Sequence, residues 1–358
     1  MAKNTELSVE SLRLPKWYNN SCFLDSVLVC LLLRPHPYLL HRLFEKPLIP
    51  YVLSPGRYTE EEIRQRTLSL NSDCNVEARE KIRQELINIY NYIHDNIDNN
   101  KLVDRKSKTG TKLARRVRNF RESLVGCILP TYKDFTGKDM AEANEFLKYL
   151  LSIFPDEDAP NLLERTYFTN DIETEIETID DITNLEGETC LSETPQKTDI
   201  YLFLSPSDIF NADDTKFLSD FLESKEDSLR PENSDFICEG KNYERAIKFR
   251  EVTEERYLIF DLSRSLGGEY LDNSIIPDEE IELKNGKKFK FVSAVHRSPG
   301  MSGTHFTSYI LVGDIWYFYD DNPGGKEPVL DEVGDYDELL EYNEQEIMEC
   351  VMYFYEPI

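Results

Sequence analysis

No stretch of this chain approaches the roughly 18 consecutive apolar residues of a membrane span, and its N-terminal residues carry no apolar core of a secretory signal. The expectation is an intracellular protein of cytoplasm, nucleus or both, with no membrane partner. No CxxC pair occurs among the seven cysteines, which excludes an ordinary four-ligand zinc site. An odd, scattered set of cysteines reads as reduced thiols rather than a disulfide framework. H-E-x-x-H, P-loop and Rossmann glycine patterns are missing too; Gly267-Gly268 and Gly324-Gly325 are isolated turn glycines. Neither a metal nor an organic cofactor is expected. Basic residues are scarce, 41 against 68 acidic ones for a net charge of -27, which argues against a nucleic-acid partner. A basic protein partner fits better, since an acidic surface steers it and raises its on-rate.

The chain has 358 residues, of which 40% are hydrophobic, enough for one large mixed enzyme domain. Its chemistry starts at Asn19-Asn20-Ser21-Cys22-Phe23-Leu24-Asp25-Ser26, directly ahead of the apolar run Val27 to Leu33. Ser/Asn caps begin helices, and the first helical turn offers unpaired N–H groups and the positive dipole end. Both are expected to lower the pKa of Cys22 and favour the reactive thiolate. Taken by itself, Cys22 reads equally well as a buried core cysteine.

A second motif lies near the other end. Phe306 to Val312 and Ile315 to Tyr319 are aromatic and β-branched runs joined by Gly313-Asp314, a two-residue hairpin signal. Such a hairpin makes His305, before the first strand, a neighbour of Asp320, after the second. A histidine oriented by a carboxylate is the base that a cysteine nucleophile requires. His296 is a possible decoy, placed before an expected loop from Arg297 to Gly303.

These two motifs resemble the Cys box and His box of the ubiquitin-specific protease (USP) family of deubiquitinases. Residues 20–26 are similar to the Cys box of its cylindromatosis-type branch. Met140 to Leu151, with Glu145 and Phe146, resembles the family's Gln-Gln-Asp-Ala-x-Glu-Phe-Leu segment. Tyr257 to Arg264 resembles the strand ending in Leu-x-Arg-Phe, Val292 to His296 the strand before the His box, and Val351 to Tyr355 the closing strand. The blocks keep the family's order along almost the whole chain.

The resemblance implies an α+β, papain-like cysteine protease of USP type, with a helical thumb, an antiparallel β palm and β-ribbon fingers. Residues 1–12 would be a polar tail and 13–358 one catalytic domain. The thumb would span about 13–165, the fingers about 166–250 and the palm mainly 196–358. The family's fingers often hold zinc through two CxxC pairs, whereas only Cys190 and Cys238 fall in this segment. Fingers without zinc are therefore expected. The implied reaction is hydrolysis of the isopeptide or peptide bond at ubiquitin's C-terminal glycine. Cys22 would be the nucleophile, His305 the base and Asp320 the orienting carboxylate; Asp321 is the alternative for that role. Where many family members carry an oxyanion-stabilising asparagine, five residues before the cysteine, this chain has Trp17. Asn20, Asn19 and Asp321 are the candidates on the oxyanion side, beside the Cys22 N–H. Thr304 separates Gly303 from His305, where the family has Gly-His adjacent. Glu145 and Phe306 are candidate substrate contacts, ubiquitin or ubiquitinated proteins the partners, and a monomer the expected state. Two other readings are an inactive ubiquitin-binding module on the same fold and a protease for a different ubiquitin-like modifier.

The remaining expectations are local. Thr59 to Glu62 and Asp139 with Glu142 read as capping boxes. Val76 to Asp98 is a helix with Ile82, Leu86, Ile89, Ile93 and Ile97 on its core face. Lys101 to Arg121 is a basic island on a solvated helix face. Phe146, Tyr149, Leu150 and Ile153 should pack toward the Cys22 helix. Residues 172–178 and 199–205 are expected strands, and Thr215 to Glu223 a helix.

Overall fold

Apolar residues fill every position from Phe23 to Leu32 except Asp25 and Ser26, so this helix has no face to give to water. A computed structural model of the chain shows what surrounds it. It describes residues 14–358 except 16–19, 35, 52–59, 95–108, 130–134, 137–140, 156–162, 170–200, 205–215, 222–228, 233–242, 250–256, 263, 267–268, 272, 284–285, 301–302 and 323–327. All eleven residues of α1 (Cys22–Leu32) are buried.

The helical half contains α1, a short α2 (Pro37–Leu40) running into a π turn at His41–Glu45, α3 (Glu60–Asp73), α4 (Val76–His94), α5 (Thr109–Ser123) and α6 (Ala143–Ile153). The core face of α4 is formed by Ile82, Leu86, Ile89 and Ile93; Ile97 lies outside the described residues. Phe146 of α6 meets Phe23 of α1 edge-on at 5.8 Å, with Phe135 at 5.6 Å from Phe146. Edge-to-face pairs of this kind add to area burial, and they seat the Cys22 end of α1.

Among the described residues fifteen strands follow. β1 (Leu163–Thr169), β5 (Tyr243–Phe249) and β4 (Leu229–Glu232) form a three-stranded antiparallel sheet in the order β1-β5-β4. The main sheet has eight strands, built from β2 (Tyr201–Leu204), β6 (Leu258–Leu262), β10 (Glu280–Glu282), β11 (Lys288–Gly300), β12 (Gly303–Val312), β13 (Ile315–Asp320), β14 (Val329–Gly334) and β15 (Met352–Pro357). Its order is β14-β13-β12-β11-β15-β6-β2, with β10 also on β11. Two-residue strands complete the set: β3 (Lys216–Phe217) pairs with β9 (Ile275–Ile276), and β7 (Ser265–Leu266) with β8 (Glu269–Tyr270). Near the C-terminus, α7 (Tyr336–Tyr342) opens on a capping box made by Asp335 and Glu338, and α8 (Glu344–Met348) follows. Helix α1 packs on β12 and β11 with α6 on its other side, so the core lies between the helical half and the sheet.

Several expectations are corrected. The main sheet is not wholly antiparallel, because β2 runs parallel to β6 at its edge. Cys74 and Cys127 form a disulfide, so the cysteines are not all reduced thiols. The two lie far apart in sequence, and only the return of the chain after α5 to the α3–α4 junction brings them together, where Ile128 N–H bonds the Asp73 carbonyl at 3.2 Å. Glu142 caps α6 by position but makes no side-chain cap bond; its carboxylate pairs with Arg297 at 3.1 Å instead. The span from Thr215 to Glu223 is not one helix, since residues 216–217 are strand and 218–221 a single helical turn. In the basic island, Arg118 is solvated and pairs with Glu122, whereas Arg121 is buried, donating to the Phe135 carbonyl at 2.8 Å. Thr59, Asp139, residues 172–178, Cys190 and Cys238 lie outside the described residues.

Candidate active site

The helix that carries Cys22 begins abruptly. Asn20 holds a left-handed φ of 60°, a conformation asparagine tolerates better than most residues. It thereby turns the chain into Ser21, whose carbonyl accepts from Leu24 and Asp25. Ser21 stands at the N-cap but does not cap with its side chain; its Oγ donates to Asp25 Oδ2 at 2.5 Å. The N–H groups of Cys22 and Phe23 are left to face the thiol, joined by the backbone of Phe306 from β12.

These dipoles act to lower the thiol pKa, as the sequence suggests, but burial wins. Cys22 is 1% exposed, and desolvation, followed by the charge of Asp321, pushes the thiol up to about 11. The expected resting thiolate is therefore replaced by a neutral thiol that needs a base.

The hairpin places that base. Gly313, at φ 64°, permits the tight turn between β12 and β13, with Val312 opposite Ile315 and Ser308 opposite Tyr319. At the open end His305 Nε2 meets Asp320 Oδ1 at 2.9 Å. Asp320 is itself fixed by the Asn322 N–H, which donates to the same oxygen at 2.8 Å. Asp320 and desolvation act oppositely on His305, and the carboxylate prevails, raising its pKa above 6.5. Nε2 is committed to Asp320, so Nδ1 is the nitrogen that can take a proton from sulfur. Among the described residues, no hydrogen bond yet links Cys22 Sγ to His305; catalytic contacts of this kind often tighten only with substrate bound.

The other candidates sort differently. Asp321 is fully buried, 3.9 Å from His305 Nε2 through Oδ1, and faces Asp25. At that distance Asp321 makes no hydrogen bond to His305, whose Nε2 is bonded to Asp320. Phe306 is completely buried, so its side chain is no substrate contact; only its backbone reaches the site. Glu145 stands half-buried in the first turn of α6. Asn20 is half-buried beside the helix start, and Asn19 and Trp17 lie outside the described residues. His296 is no competing base: it lies within β11, which continues to Gly300 with no loop after Arg297. Burial lowers its pKa to about 4, next to Glu346 at 3.7 Å.

Three residues packed behind or beside the site were not singled out from the sequence: Asp25, Ser308 and Asn322. Asp25 had a signal, being the one charged residue inside an otherwise uncharged buried helix. His305, Asp320 and Asp321 also form a close group with one ligand-type atom each within 4.8 Å. Within this group His305 and Asp320 already bond each other through Nε2 and Oδ1, the pairing of an oriented base.

No protein-family model matches the chain, and no curated protein matches it by sequence. Solved structures do match. The SAGA DUB module Ubp8/Sgf11/Sus1/Sgf73 bound to monoubiquitin, with a cysteine-to-alanine substitution in its Ubp8, aligns with 99% of this chain and 72% of that chain, at a TM-score of 0.53 and 14% identity. The same module bound to ubiquitin aldehyde aligns over 98% and 71%, with TM-score 0.52 and 14% identity. A yeast SAGA DUB module carrying an Sgf73 mutant gives 98%, 70%, 0.51 and 14%. The fold is similar to that of the Ubp8 module. This USP-like α+β likeness covers the architecture, and the chemistry has to be argued from the residues.

Proposed function

We propose that this protein is a thiol-dependent deubiquitinase that hydrolyses the bond at the C-terminal glycine of ubiquitin. The observation that carries the reading is the His305–Asp320 pair at the open end of a hairpin whose first strand also lays the Phe306 backbone against Cys22. A fold shared with a module bound to monoubiquitin supports the choice of substrate, as does an acidic chain suited to a basic partner.

In this reading the steps follow from the protonation states. Cys22 is neutral at rest, so His305 Nδ1 removes the Sγ proton as sulfur attacks the glycine carbonyl carbon. Asp320 accepts the hydrogen bond from Nε2–H without taking that proton, and so stabilises the imidazolium. The oxyanion forms against the Cys22 N–H, with Asn20 beside the same helix start as a further donor. Collapse of the tetrahedral adduct breaks the C–N bond, and His305 returns its proton to the departing lysine amine. Water then attacks the thioester with His305 as base, releasing ubiquitin with a free carboxylate and restoring the thiol.

The same reading assigns the helical half as thumb, the eight-stranded sheet as palm and the β1-β5-β4 sheet as fingers, within a single catalytic domain from residue 13 onward. The likeness of the Cys box to the cylindromatosis-type branch rests on residues 20–26 alone. A monomer inside the cell, with ubiquitin or ubiquitinated proteins as partners, completes the proposal.

A second reading, a ubiquitin-binding module with little turnover, is favoured by the buried, high-pKa thiol and its lack of a bond to His305. Hydrolysis of a fluorogenic ubiquitin C-terminal amide separates the two. The enzyme reading expects turnover that Cys22→Ala abolishes while ubiquitin binding persists. Binding without turnover in the wild type supports the second reading, and faster turnover of another modifier's amide moves the substrate assignment to that modifier.

A further inference from the structure

The reaction leaves one feature of the site unused. Asp25 and Asp321 are both completely buried. Ser21 Oγ serves Asp25 Oδ2, but Asp25 Oδ1 and both oxygens of Asp321 have no donor. His305 Nε2 does not supply one, standing 3.9 Å from Asp321 Oδ1 while bound to Asp320 at 2.9 Å. The two carboxyls nevertheless lie within hydrogen-bonding reach of each other. Two ionised carboxylates present only acceptors, and burying both without donors is costly. One proton between them turns the contact into a hydrogen bond and satisfies the facing oxygens together.

We propose that Asp25 and Asp321 share one proton and act as a positioning pair that sets the charge beneath Cys22 and His305, so that loss of this proton restrains the nucleophile. The regulatory half rests on the deubiquitinase reading; the shared proton does not. Burial raises the pKa of both carboxyls, their mutual repulsion adds to that for Asp321, and the Ser21 bond opposes it for Asp25.

The groups facing the pair come from four elements and one flanking residue. Helix α1 contributes Cys22, with Ser21 just ahead of it, and α5 contributes Arg121. His305 faces the pair from β12, and Asp320 and Tyr319 from β13. With one shared proton the pair carries a single negative charge. Its loss creates a second anion near Cys22, whose pKa Asp321 already raises, so thiolate formation becomes harder as pH climbs. The proton moves to solvent base, and no other reactant is needed.

The test compares wild type, Asp25→Asn and Asp25→Ala in two readouts from about pH 5.5 to about pH 10. The first is the rate of reaction with a ubiquitin bearing a C-terminal electrophile. Asparagine carries its own N–H donor at every pH. Asp25→Asn should react within about threefold of wild type near neutrality, and its alkaline decline should move to higher pH or vanish. Asp25→Ala, which leaves Asp321 unpartnered, should be about tenfold slower or worse.

The second readout is the thermal midpoint, which needs no activity. In the folded state the pair holds a proton that the unfolded chain releases above about pH 4. Wild-type stability therefore falls as pH rises through the folded-state pKa values. The midpoint of Asp25→Asn minus that of wild type should widen by about 2 °C or more across the range. Superimposable pH dependence of the two midpoints overturns the shared proton. Superimposable rate profiles overturn the regulatory role whatever the midpoints do. A wild type that reacts at no pH overturns the enzyme reading instead, and the midpoints still decide the shared proton.

Discussion

The hydroxyl of Ser308, in the middle of β12, donates to the carbonyl of Ser26 in α1 at 3.1 Å. The two residues are 282 positions apart, and both are buried. This bond ties the strand that carries His305 to the helix that carries Cys22. It lies three residues beyond His305 on one side and four beyond Cys22 on the other, so it fixes base against nucleophile at short range.

Ser308→Ala should therefore cost about 1 kcal/mol of stability, the worth of one buried hydrogen bond. It should also cost about tenfold in kcat/KM, because small misplacements of reacting groups are expensive. Thermal unfolding and fluorogenic ubiquitin-amide kinetics measure the two effects. A variant with the lost stability but unchanged kinetics would show that the link is structural only.

The pH dependence of the reaction follows from His305. It must be neutral to accept the Cys22 proton, so the rate rises as pH passes through its pKa, which lies above 6.5 because of Asp320. Asp320→Ala removes the first cause of that elevation. The acidic limb of kcat/KM should then shift to lower pH, while the rate at neutrality falls by about a hundredfold or more. The sign for stability is independent: a raised histidine pKa adds stability below the unfolded-state value, and that contribution is lost as pH rises through the folded-state value. An acidic limb unmoved in Asp320→Ala contradicts the assignment of Asp320.

The disulfide between Cys74 and Cys127 closes a loop across 53 positions. Its reduction should cost about 2–4 kcal/mol by the loop-entropy argument, read as a lower thermal midpoint in dithiothreitol. Alkylation of denatured, unreduced protein followed by mass mapping should label Cys22, Cys30 and Cys350, the free cysteines among the described residues, and spare Cys74 and Cys127. Labelling of Cys74 and Cys127 under those conditions contradicts the bridge.

How much of this was readable in the chain depends on how local the signal is. The β12–β13 hairpin was legible because Gly313-Asp314 between two β-branched runs dictates turn and register, and register alone brings His305 to Asp320. The start of α1 was legible from Ser21 and the apolar run behind it. The protonation of Cys22 was not, because a helix start argues for a thiolate, while burial under β12 and the charge of Asp321 are tertiary facts. Phe306 fails for the same reason: alternation shows that it faces one side of β12, not that α1 covers that side. The Cys74–Cys127 bridge depends on the return of the chain after α5, which residue spacing does not encode. Asp139 and Glu142 fit a capping pattern, yet Arg297, distant in sequence, claims the Glu142 carboxylate.

The central claim is that Cys22 is a nucleophile aimed at ubiquitin's C-terminus. The most direct measurement is reaction of the purified protein with ubiquitin bearing a C-terminal electrophile, followed by mass mapping of the modified residue. The account predicts one covalent adduct per chain, on Cys22, abolished by Cys22→Ala and strongly slowed by His305→Ala. Binding of the probe with no adduct, or an adduct on Cys30 or Cys350, would contradict it.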